Sequence, residues 1–143
     1  MNKAVVDASV AAKWVLPNER ETFVEQAMEL LSGHTRGETR LIVPDLFWPE
    51  IGSILWKASR RGHITRQQAT ASLHTMSELG LTTYSSQPIL LDAYEIASAF
   101  GRTVYDSLYV SLAVQMSVPL VTADEKLANA LAAYFPVRWL AAW

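Results

Sequence analysis

The sequence predicts an α/β fold: a mostly parallel sheet with helices on both faces. Three observations carry this. Short apolar runs alternate along the chain with longer segments of helical periodicity, the order that builds a covered parallel sheet. The runs at Ala4-Val5-Val6, Leu41-Ile42-Val43 and Leu120-Val121 contain no polar alternation, as expected of strands buried on both faces. At 143 residues, half of them hydrophobic, the chain suits one domain over 1–143 with a sizeable core.

Composition excludes several chemistries. With no cysteine there are no disulfides, thiol nucleophiles or thiolate metal ligands. No apolar run reaches membrane-spanning length, and Met1-Asn2-Lys3 leads straight into a strand-like run without a signal-peptide pattern, so a cytoplasmic protein is expected. A net charge of −2 and a pI near 5.9 argue against gripping nucleic acid through overall charge.

Ala4-Val5-Val6 reads as the first and central strand, with Asp7 at its carboxyl end. Ligands of open α/β sheets bind beyond those ends, whereas an Asp before a helix also serves as its cap; both readings apply to Asp7. Ala8 to Leu16 forms a short helix stopped by Pro17. A second is expected from Asn18 to Ser32, with Phe23, Ala27, Leu30 and Leu31 as its apolar stripe and Gly33 as its end. His34 to Arg40 reads as a surface loop, and Leu41-Ile42-Val43 as the second strand. Asp45 is the expected N-cap of a helix from Leu46 to Arg61, with Pro49 and Glu50 in its first turn. Thr65-Arg66-Gln67-Gln68 has the form of a capping box opening a helix to Leu79. Leu81 to Ser85 is a strand, and Ile89 to Phe100 a helix closed by Gly101. Another helix begins at Val104 with Asp106 in its opening turn, Tyr109 and Ala113 sharing that face. Pro119 to Thr122 is a strand, Asp124 opens a helix to Ala133, and Val137 to Leu140 forms an edge strand.

Asp7, Glu50, Asp106 and Asp124 thus each stand at a strand end or helix start. Gathering them in one crevice is electrostatically costly, because carboxylates at close range raise each other's pKa unless a cation neutralises them. An all-oxygen donor set favours Mg²⁺ or Mn²⁺, and such ions support in-line phosphodiester hydrolysis. The competing reading is that the four are helix caps only.

These stretches carry a resemblance. Val5-Val6-Asp7-Ala8-Ser9, Pro44-Asp45-Leu46 with Glu50, Tyr105-Asp106-Ser107-Leu108-Tyr109 and Pro119-Leu120-Val121-Thr122-Ala123-Asp124 resemble, in order and spacing, the PIN domains of VapC-type toxins in toxin–antitoxin pairs. The resemblance spans nearly the whole chain. It implies a three-layer α/β/α PIN-like fold and a Mg²⁺- or Mn²⁺-dependent endoribonuclease. Asp7, Asp106 and Asp124 would hold the metal, Glu50 would complete the acidic cluster, and Ser9 and Thr122 would support it. It further implies an RNA substrate, a homodimer and a cognate VapB-type antitoxin that blocks the site.

Lys57, Arg60, Arg61, His63 and Arg66 form the concentrated basic cluster. They are either a solvated turn or, for Lys57, Arg60 and Arg61 above all, a rim that contacts RNA phosphates. Trp14 and Trp48 fit core packing or base stacking. His34, His63 and His74 match no ligand spacing and are expected at the surface. A non-catalytic PIN-like module that binds a protein or RNA is the rival function. A phosphatase or receiver is weaker, since Asp7-Ala8-Ser9 lacks a second Asp and no lysine follows a late strand at the place a receiver would want one.

Overall fold

The computed structural model describes residues 2–143. Five strands, β1 (Asn2–Val6), β2 (Thr39–Pro44), β3 (Thr82–Tyr84), β4 (Leu120–Thr122) and β5 (Val137–Trp139), form one sheet in the order β3-β2-β1-β4-β5, with every pairing parallel. β1 is central and β5 lies at an edge, as expected. Val5 and Val6 pair with Leu120 and Val121 on one side, and Val5 pairs with Ile42 on the other. The central strands are buried because their side chains meet helices above and below: Ala4, Val5, Val6, Leu41, Val43, Leu120 and Val121 have no exposure.

The helices are α1 (Ala8–Val15), α2 (Val24–Thr35), α3 (Phe47–Arg60), α4 (Arg66–Ser77), α5 (Leu90–Phe100), α6 (Val104–Met116) and α7 (Glu125–Leu131). From β1 the chain steps to β2 and β3, then crosses back to β4 and β5. Right-handed crossovers therefore put α1 to α4 on one face and α5 to α7 on the other. The packing agrees: α1 touches α2 and α3, α3 touches α4, and α6 packs on α5, β1 and β2. Enclosed this way, α6 is buried from Ser107 through Ala113. The three-layer α/β/α arrangement is the one expected. Among the described residues, no helix is long and apolar enough to cross a membrane.

Four local expectations are corrected. The helix expected from Asn18 is broken: Asn18–Arg20 is a single 3-10 turn, and α2 begins only at Val24, after Phe23 in the left-handed region at φ 55°. Phe23 leaves the helix stripe and stands edge-on to Trp139, with centroids 5.5 Å apart. Gly33 does not end α2; it is buried mid-turn against Thr39, and the reversal is made by Gly37 at φ 74°. Thr39 and Arg40 consequently belong to β2 rather than to a loop. His34 is half-buried rather than a surface residue. Its Nδ1 accepts from the Leu41 N–H at 3.1 Å and its Nε2 donates to the Leu79 carbonyl at 2.6 Å, so one tautomer pins α2 to β2 and to the end of α4.

Candidate metal and active site

The strand order reverses between β1 and β4: the chain leaves β1 toward one sheet face and β4 toward the other. The crevice left between the two loops is where α/β sheets bind ligands. Asp7 and Asp124 follow these two strands. The register that sets Val6 beside Val121 brings Asp7 level with Thr122, whose Oγ1 donates to Asp7 Oδ2 at 2.5 Å. Ser9 Oγ donates to Asp7 Oδ1 at 2.5 Å, and the Val10 N–H reaches the same oxygen at 3.3 Å. The two hydroxyls also act as acceptors. Ser9 Oγ takes the Ala123 N–H at 3.1 Å and Thr122 Oγ1 takes the Asp124 N–H at 3.0 Å. Ser9 and Thr122 thereby stitch the two strand ends together.

Asp7 is only 7% exposed. Burial pushes its carboxyl up to about 6, against the pull of its three donors, and the nearby Glu50 charge adds to the rise. Glu50 comes from the first turn of α3. Tyr109, one α6 turn beyond Asp106, donates its hydroxyl to Glu50 Oε1 at 2.5 Å. Burial raises the Glu50 pKa, the Tyr109 hydroxyl opposes the rise, and the Asp106 charge reinforces it. Burial and the Glu50 carboxylate push the Tyr109 phenol well above its ordinary value, so it stays a donor.

Asp106 and Asp124 meet across a cation that the sequence reading missed. Arg102 Nη2 lies 3.2 Å from Asp106 Oδ2 and 3.5 Å from Asp124 Oδ2. The available signal was the i, i+4 spacing of Arg102 and Asp106 across the start of α6. The α6 cap itself is Thr103, whose Oγ1 accepts the Asp106 N–H at 3.0 Å. The four acids therefore converge as coupled pairs: Asp7 with Glu50, Glu50 with Asp106, and Asp106 with Asp124 through Arg102. Among the described residues, no three acidic or imidazole side chains stand in a group tight enough to enclose a metal. The chemistry of the donor set nevertheless fits a hard divalent cation: the acids offer only oxygens, and a guanidinium already stands between two of them.

Other candidates fall elsewhere. Asp45 does not cap α3; Ser86 donates to it through both its hydroxyl and, at 3.2 Å, its N–H, which ties the β2–α3 turn to the segment after β3. Arg60 lies ten residues beyond Glu50, about 15 Å along α3, which runs back from the carboxyl end of β2 toward the amino ends of the strands. Lys57 and Arg61 line a cavity of about 370 Å³ with Leu16, Pro17 and Glu21, and Arg60 stacks over Trp56 at 5.2 Å. Lys57, Arg60 and Arg61 thus follow Glu50 along α3 by seven to eleven residues. Trp14 donates to the Ala27 carbonyl at 2.8 Å and Trp48 to Thr83 Oγ1 at 3.1 Å, both packed against the core.

Residues 4–131 match the family model described as PIN domain. Over 133 residues the chain is 38% identical to Ribonuclease VapC3 of Pyrobaculum aerophilum, covering 89% of this chain and 93% of that protein. The fold is similar to the crystal structure of PAE2754 from the same organism, with a TM-score of 0.71 and 22% identity over 99% of this chain and 85% of that one. It is also similar to VapBC2 from Rickettsia felis bound to a DNA fragment from their promoter, with a TM-score of 0.65 and 12% identity over 96% of this chain and 98% of that one. The match to the family model over nearly the whole length agrees with the sheet order and with the strand-end acids described above: the chain belongs to the PIN-domain family and, within it, to the VapC group.

Proposed function

We propose that this protein is a divalent-metal-dependent endoribonuclease, the toxin of a VapBC-type toxin–antitoxin pair, working as a single domain over residues 1–143. The observation that carries the proposal is the convergence of Asp7, Glu50, Asp106 and Asp124 from four separate elements on the β1/β4 switch point. Asp7, Asp106 and Asp124 are the residues that would hold Mg²⁺ or Mn²⁺, with Glu50 beside them. Such an ion supplies charge neutralisation and activation of water for in-line phosphodiester displacement.

The chain's own residues prepare that chemistry. Thr122 and Ser9 fix both Asp7 oxygens in direction. Tyr109 fixes Glu50, and the burial of Asp7 strengthens the charge interactions that this acid makes. Relatives named as ribonucleases support RNA as the substrate, and a solved VapBC assembly supports a VapB-type antitoxin as the partner. Leu90, Leu91 and Tyr94 are 48%, 71% and 58% exposed on α5; such apolar exposure supports burial against another chain, including a second copy in a homodimer.

The test is cleavage of single-stranded and structured RNA by the partner-free protein with Mg²⁺, with Mn²⁺ and with chelator. Metal-dependent internal cleavage, lost in Asp7→Asn, is the expected result. RNA or partner binding with no cleavage under any metal condition would replace this reading with the non-catalytic module.

A further inference from the structure

We propose that Arg102 is a built-in counter-cation of the acidic crevice: its guanidinium holds Asp106 and Asp124 together in the metal-free protein and gives them up when a divalent ion binds. The inference rests on the metal reading of those acids proposed above.

Arg102 is aimed at the crevice by its neighbours on both sides. Gly101, at φ 68°, ends α5, and Thr103 caps α6, so Arg102 is the one residue spanning the turn between two helix ends. Its side chain is 22% exposed, and it meets acids from two different elements, the first turn of α6 and the cap of α7. An arginine that serves as a permanent structural clamp normally engages a carboxylate with two parallel N–H groups. Here one nitrogen, Nη2, is shared between two carboxylates at 3.2 and 3.5 Å, while the buried Nε has no partner. An unpartnered buried donor is destabilising, so the seat is poorly fitted to a guanidinium. It is better fitted to a compact ion that takes oxygens from several directions.

The electrostatics point the same way. One positive charge faces Asp106 and Asp124, with Glu50 coupled to Asp106 and Asp7 coupled to Glu50. A monovalent group relieves only part of that repulsion. A divalent ion relieves more and competes for the same oxygens, so the apparent metal affinity carries the cost of displacing Arg102. Arg102 is in this sense a positioning residue: it keeps two carboxylates converged while no metal is bound, and it weakens the affinity with which metal is taken up.

The experiment is calorimetric titration of Mn²⁺ into the partner-free protein, Arg102→Met, Arg102→Lys and the Asp106→Asn, Asp124→Asn double variant, beside thermal unfolding with and without Mn²⁺. Arg102→Met is expected to bind Mn²⁺ at least about tenfold more tightly than the parent, with Arg102→Lys between them. Its midpoint is expected to fall without metal and to recover at saturating Mn²⁺. Should the parent bind Mn²⁺ and lose it in the double variant while Arg102→Met and Arg102→Lys bind equally well or more weakly, the counter-cation role is overturned and the metal reading stands. Should no variant bind Mn²⁺, or should the double variant bind it unchanged, the metal reading itself fails and this inference with it.

Discussion

Asp7 and Asp124 occupy matching positions in two adjacent βα units and live in different surroundings. Each caps the helix that follows through Oδ1, accepting from Val10 at 3.3 Å and from Leu127 at 3.1 Å. Each turns Oδ2 toward the crevice, Asp7 to Thr122 and Asp124 to Arg102. Asp7 is 7% exposed, whereas the Asp124 side chain is 42% exposed. Capping therefore does not compete with a role in the crevice: it takes one oxygen and orients the other. Depth is what separates the two acids, and the buried one carries the strained charge.

The largest expected effect is on cleavage. Asp7→Asn should lower metal-dependent RNA hydrolysis by at least about a thousandfold, and Asp124→Asn by roughly ten- to a hundredfold, because solvent can replace much of what the exposed acid supplies. Initial rates on a fluorogenic RNA in Mn²⁺ measure both, and equal losses would erase the distinction drawn from depth.

The second effect is on stability without metal. The Asp7 carboxyl sits at about 6 in the folded chain against an ordinary 3.8, so the folded state holds that proton more tightly than the unfolded state. Its contribution is fully present below about pH 4 and is lost as pH rises through about 6, amounting to about 3 kcal/mol. Urea unfolding across pH 4 to 8 in chelator should show this slope in the parent and not in Asp7→Asn, which should be the more stable protein at pH 8 by about 2 kcal/mol. A parallel pair of pH profiles would show that Asp7 is not desolvated.

Smaller effects sharpen the comparison. Thr122→Val removes the donor to Asp7 and the acceptor of the Asp124 N–H together, and should cost about 1–2 kcal/mol in the same assay. Asp124→Ala should cost about 1 kcal/mol, as loss of a helix cap does. Least of all, Arg60→Ala with Arg61→Ala should change cleavage by less than about threefold, since these side chains stand at the far end of α3 from Glu50.

How much of this was readable in the sequence follows from how local each cause is. β1, β2 and β4 were legible because strands buried on both faces lose polar alternation, and Asp7 and Asp124 because a carboxylate directly after such a run has few other places to be. The Thr65 capping box formed as expected because both of its hydrogen bonds lie within four residues. Asp45 was misread because its partner, Ser86, lies 41 residues away, and a local preference for capping cannot see it. Gly33 was misread because a glycine can mark either a turn or a close packing position, and the turn went to Gly37. Arg102 went unnoticed because its second partner, Asp124, becomes a neighbour only when α7 docks. For the basic cluster, local sequence left both a solvated turn and an RNA-contacting rim open, because the direction in which α3 carries it from Glu50 is set by the packing of the helix on the sheet.

The hydrogen bond between Thr122 and Asp7 joins residues 115 positions apart. A growing polypeptide therefore leaves the ribosome with its first strand open on one side until residues 120–122 have emerged. Only then do the hydroxyl that orients Asp7 and the backbone that carries Asp124 come into place. For a chain proposed to cut RNA, this order of synthesis works as a safeguard: fragments released before residues 120–124 are made lack the β4 side of the crevice, so no competent blade exists until that stretch has been synthesised.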